Sequence, residues 1–267
     1  MQKFLTSVSV AALSLGLAMA TPATVSADSL AGSYLAGRSA AVSNDFEIAA
    51  QYFATALSHD PENIEMMDSA ALAYLALGDI ERGIPLGKGI VAGGQTSQAA
   101  RMLVTAGLVE EGKYTELAAQ EIQTDGISPW VDGLVRAWAL IGADDVDAAM
   151  AQFDAISDDA GMKGIVAYHK ALAYATVGNY AAAEALFDQD APGAAARTRR
   201  GVIARVEILS QLDRNADAVQ VIALTFNGST DPELDTMIAK LEAGDKLPFT
   251  QAPTAWAGLA EVFYTFA

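Results

Sequence analysis

The chain has no cysteine and only two histidines, His59 and His169, among its 267 residues. The first absence excludes disulfide staples, thiolate nucleophiles, cysteine metal sites and a lipid on an N-terminal cysteine. The second leaves little for acid–base or metal chemistry. His59 adjoins Asp60-Pro61 and reads as a solvated loop residue, while His169 lies in Tyr168-His169-Lys170 and reads as a packing or groove-lining residue rather than a base. The two are too far apart to show metal-ligand spacing. Positive charge is also scarce: 16 Lys and Arg against 33 Asp and Glu give a net charge of −17. Such a surface opposes a grip on phosphate backbones or anionic membranes, so nucleic acid is excluded as a partner. No apolar run beyond the N-terminal segment is long enough to span a bilayer.

The motifs of site chemistry are missing as well. No DxDxDG loop is present for calcium, and Gly83 to Gly89 has the wrong spacing and no preceding strand for a phosphate loop. Asp144, Asp145 and Asp147 fall where a helix should start, where carboxylates satisfy free N–H groups, and Asp158-Asp159 falls in a turn. Asn227-Gly228-Ser229 matches a glycosylation acceptor, a triplet common by chance. No catalytic residue, cofactor-binding residue or metal ligand is assigned, and the expectation is a non-enzymatic chain without a cofactor.

What is present begins with an address. Lys3 precedes an uncharged stretch from Phe4 to Ala20, and Pro22 opens a small-residue region ending in Val25-Ser26-Ala27. This order predicts a signal peptide over residues 1–27, cut before Asp28. The expected product is exported to a bacterial periplasm and lacks an integral membrane segment. With 52% hydrophobic and 18% charged residues, the remainder has enough apolar surface for a continuous core.

That remainder is periodic. Helix breakers at Asn44, Gly78, Gly112, Asp144, Gly178 and Asp213 are spaced by 34, 34, 32, 34 and 35 residues. Each separates two amphipathic stretches. Phe46, Ala49, Ala50, Phe53, Ala56 and Leu57, for example, form one helical stripe. A period near 34 predicts stacked helix pairs, because one pair cannot bury its apolar face alone. Asp60-Pro61, Ser128-Pro129 and Asp231-Pro232 read as helix starts, with the acid or serine capping and proline in the first turn. Pro85 and glycines 83, 87, 89, 93 and 94 predict a short, kinked or late second helix in the second pair. After Asp231 the period fades into one helix from Pro232 to Ala243, a loop, and a second helix from Thr254 to Phe266.

This pattern resembles the tetratricopeptide repeat. The first repeat sets Gly37, Ala49 and Ala56 on its small sites, Phe46 and Phe53 on its large sites and Pro61 on its proline site. The fifth matches with Ala171, Tyr174, Gly178, Tyr180, Ala183 and Phe187, and the fourth with Ala137, Ala149 and Phe153. The second keeps Ala71, Tyr74, Gly78 and Asp79, whereas the third keeps Gly112 and Tyr114 but places Leu117 and Glu121 on later sites. The resemblance implies an all-α, right-handed superhelix of about six helix pairs over residues 28–230. Residues 231–267 would be a cap, a partner site or the start of further repeats, the last being favoured.

The resemblance also implies a groove along the first helices that binds a peptide or partner helix. Its lining would be Tyr34, Arg38, Asp68, Leu72, Met102, Ala106, Leu134, Trp138, Tyr168, Leu172, Ile203 and Glu207. Trp138, Tyr168 and Arg38 would be the anchors on general hot-spot preferences. The family's basic clamp for a terminal carboxylate is absent. The leading expectation is an interaction scaffold of the bacterial envelope with a protein or peptide partner. A closed solenoid, a module that self-associates through its C-terminal helix, and, less favoured, an enzyme hidden in the loops stay open beside it.

Overall fold

The structure, a computed structural model, describes residues 29–95, 97–120, 127–156, 161–187, 193–226 and 231–266. The expected signal peptide, Asp158-Asp159, Glu121 and Asn227-Gly228-Ser229 lie outside the described residues. The described chain is helical and contains no strand. Six helix hairpins follow one another: α1 Leu30–Val42 with α2 Phe46–His59, α3 Ile64–Leu77 with α4 Ile80–Ala92, α5 Gln98–Glu110 with α6 Tyr114–Ala119, α7 Pro129–Gly142 with α8 Val146–Ile156, α9 Lys163–Thr176 with α10 Tyr180–Phe187, and α11 Arg199–Gln211 with α12 Asn215–Thr225. Helices α13 Pro232–Glu242 and α14 Ala255–Phe266 follow them. Each second helix packs on the first helix of the next hairpin, so the fold is an all-α solenoid.

One turn repeats at all six breakers. Asn44, Gly78, Gly112, Asp144, Gly178 and Asp213 all have positive φ, between 58° and 80°. In each turn two N–H groups bond back into the last turn of the first helix, as when Asp45 donates to the Ala40 carbonyl at 2.9 Å and Asn44 to Ala41 at 3.0 Å. This closure satisfies carbonyls that would otherwise be orphaned, and it admits only glycine, asparagine or aspartate without strain. The following residue starts the second helix at once. Asp45, Asp79, Asp145 and Asn179 each accept an N–H from the residue three positions on, at 3.1 to 3.2 Å. The period of the sequence is therefore the period of this turn.

Small residues set the seams between helices. Ala49, Ala56, Ala71, Ala137, Ala149 and Ala183 are fully buried, and Gly37 lies against the ring of Phe53. Two expectations need correction. The second hairpin has a full second helix, because the glycines of α4 sit where neighbours leave no room for a side chain: Gly83 and Gly87 on Leu103, Gly89 on Met67. Close packing outweighs their poor helix propensity, and Pro85 lies within the helix. Asp60 does not start α3; it ends α2 and binds the Asn63 amide at 3.0 Å, while Asn63 caps α3 by accepting from Met66 N–H. Ser128 and Asp231 do cap α7 and α13, with prolines in the first turn.

Replacing Ala183 by leucine inserts three carbons into the fully buried α9–α10 seam. The expected loss is about 1 to 3 kcal/mol, read from the urea midpoint at unchanged far-ultraviolet dichroism.

Candidate functional site

The first helices of the last three complete hairpins, α7, α9 and α11, form a wall that the chain itself covers. α13 ends in the same left-handed turn, with Gly244 at φ 86°, but no helix starts directly after it. Instead residues 246–254 cross α11 and α9 without helical structure, and α14 then lies on α7 and α9. Among the described residues, the largest apolar cluster joins Leu134, Trp138, Leu172 and Ile208 of the wall to Ala252, Ala255, Leu259 and Val262 of this segment.

The non-helical part is held through its main chain. Ser210 Oγ accepts the Leu247 N–H at 2.9 Å, and Gln211 donates to the Leu247 carbonyl. Glu207 accepts both the N–H and the hydroxyl of Thr250, at 2.8 and 2.6 Å. Thr176 Oγ1 donates to the Ala252 carbonyl at 2.7 Å. Burial pushes the Glu207 carboxyl up from its usual range, and the Thr250 bonds oppose that shift.

The helical part is held through side chains. A Cβ at position 258 would overlap the Trp138 ring, so only glycine lets α14 approach there. The buried carboxylate of Glu261 accepts from the Tyr168 hydroxyl at 2.8 Å and from Arg200 at 2.6 and 3.0 Å. Burial, then the adjacent Glu261 charge, raises the Tyr168 phenol above its ordinary value. Trp138 donates its indole N–H to His169 Nδ1 at 3.2 Å, and His169 Nε2 meets Thr265 Oγ1 at 3.3 Å. Trp138 also stands edge-on to Phe153 and His169.

The predicted lining therefore divides. Leu134, Trp138, Tyr168 and Leu172 come together, all buried, where α14 packs, and Ile203 is buried in the adjoining cluster of α11, α12 and α13. Tyr34, Arg38, Leu72 and Met102 stand on α1, α3 and α5, where Leu72 is 58% exposed and Arg38 is exposed. There the Tyr34 hydroxyl donates to Glu65 at 2.6 Å and Arg38 lies over the Tyr34 ring. Sequence reasoning assigned no role to Arg200, Gly258 or Glu261. The available signal was Glu261 itself, the one carboxylate in an apolar helix, placed three residues after Gly258 and so on its buried face.

Among the described residues no group of three acidic, histidine or cysteine side chains is arranged to hold a metal, and no helix is long and apolar enough to cross a membrane. Comparison with protein-family models gives no match, and comparison with curated proteins gives none. Among solved structures, a thermophilic TPR protein of Thermus thermophilus is similar, at 18% identity over 80% of this chain and 99% of that one, with a TM-score of 0.35. The fold is TPR-like. Its consecutive helix pairs, repeated left-handed turn and small-residue seams are those of such an array.

His169 is fully buried, and burial holds its ring neutral down to about 3, against 6.5 for a free histidine. Between those values only the unfolded chain takes up the proton. The contribution is thus fully present above pH 6.5 and is lost as pH falls towards 3. From pH 7.5 to 4.5 the wild type should lose about 3 kcal/mol more than His169→Gln, at about 1.4 kcal/mol per unit below 6.5, measured by urea unfolding at both values.

Proposed function

We propose that this chain is a non-enzymatic scaffold of the bacterial cell envelope that holds a peptide or helix of a partner protein on its first-helix wall. The observation that carries the reading is the seat of residues 247–266. A non-helical stretch is gripped through its main chain by Ser210, Glu207 and Thr176, and a helix is gripped through side chains by Trp138, Tyr168 and Arg200. Main-chain hydrogen bonding to an extended stretch and a helix laid in a groove are two of the recurring ways in which a surface recognises a polypeptide. The part of the wall that residues 247–266 leave uncovered is that of α1, α3 and α5, with Tyr34, Arg38, Leu72 and Met102. Leu72 and Met102 suit apolar side chains, and Glu65 and Asp68 add negative charge around a cleft of about 410 Å³ lined also by Ile64, Ile90, Gln95 and Ser97. Export follows from the expected signal peptide.

Self-association through the C-terminal helix is the second reading. The inner face of α14, with Leu259 and Val262, is already buried, so it would use the outer face, where Trp256 and Tyr264 are 57% and 65% exposed.

Leu72→Glu should leave helicity and the urea midpoint unchanged, because the side chain is largely in solvent. It should reduce recovery of the partner from envelope extract by about tenfold or more, quantified by mass spectrometry against wild type. Equal recovery would discard this wall as the contact, and a concentration-dependent dimer abolished by Trp256→Glu would favour the second reading.

A further inference from the structure

Building on the scaffold reading, we propose that the wall of α7, α9 and α11 recognises a defined class of polypeptide, first non-helical and then helical, with a glycine followed three positions later by a carboxylate. Residues 247–266 are its resident occupant. Such a partner segment competes with the chain's own for the same seat.

The two halves of the contact divide the labour of recognition. The main-chain bonds from Ser210, Gln211, Glu207 and Thr176 place few demands on sequence. The Thr250 hydroxyl, which donates to Glu207, and the buried side chains of Leu247 and Ala252 add to these, and the strictest demands come from the helix. Trp138 leaves no room for a Cβ at position 258, and Glu261 puts a buried carboxylate between Tyr168 and Arg200. A carboxylate removed from water needs both partners, and conversely an apolar residue there would leave the Tyr168 hydroxyl without its acceptor, while any uncharged residue would leave Arg200 without its counter-charge. In a chain with twice as many acids as bases, Arg200 is a scarce cation, and its guanidinium also lies over the Tyr264 ring. These requirements discriminate by rejecting segments that lack either feature.

The wall also sets how the seat can change hands. Trp138, Leu134 and Leu172 are fully buried, so an empty seat would expose a large apolar surface. Exchange of one occupant for another of the same chemistry avoids that cost.

The test uses the full-length chain and a fluorescein-labelled synthetic peptide with the sequence of residues 246–266. In the wild type the resident segment competes at high effective concentration. The peptide should therefore bind full-length Gly258→Leu, whose own α14 cannot seat on Trp138, about tenfold or more tightly than wild type. On that variant a peptide carrying Glu261→Gln should bind about tenfold more weakly than the native peptide. Equal binding of the two peptides, or no gain over wild type at unchanged helicity, overturns the proposal. For a Gly258→Leu chain that loses helicity, full-length Arg200→Glu gives the decision: it should prefer a peptide carrying Glu261→Arg, and preference for the native peptide overturns the proposal. Leu72→Glu, which tests the scaffold reading, lies on α3 and should leave peptide binding unchanged, so the two readings fail separately.

Discussion

A helical hairpin of this size has two apolar faces and can cover only one by folding on itself. Every other feature of the molecule answers that constraint. Along the array the second helix of each hairpin covers the first helix of the next, and the fully buried alanines mark the lines of closest approach. Over α7 and α9 the inner face is too apolar to be left to water, and there α14 provides the cover. The solenoid and its occupied wall are two solutions to the same shortage of shelter.

The repeated turn was the most legible part of the sequence. Asn44, Asp144 and Asp213 stand where Gly78, Gly112 and Gly178 stand in other repeats, and this exchange among residues that tolerate a left-handed backbone marks the turn before any coordinates are known. Ala183 and Phe187, or Ala149 and Phe153, were legible for a similar reason: a small and a large residue four apart on one helix face make a seam. Pro85 and the α4 glycines misled because propensity was weighed without the neighbours. Leu103 and Met67 come from adjacent first helices, and their claim on the space above Gly83, Gly87 and Gly89 is a tertiary fact.

The occupied wall was half legible. Leu134, Trp138, Tyr168 and Leu172 were placed on one surface by the repeat, but what lies on that surface depends on the path taken after Gly244. A helix ending that uses the same turn as the others gives no warning that the following helix will fall elsewhere. Only the isolated carboxylate of Glu261 in an apolar stretch records that its partners lie far away in the chain.

The bond from Tyr168 to Glu261 joins residues 93 positions apart, whereas the contacts of an ordinary repeat array reach little beyond one period. That single long closure changes the order of assembly. The hairpins can form and stack as they leave the ribosome, but α7 and α9 keep Trp138 and Leu172 uncovered until residue 266 has been made. The nascent chain thus carries a sticky, half-finished flank until α14 has been made, and covering it takes one long-range loop closure.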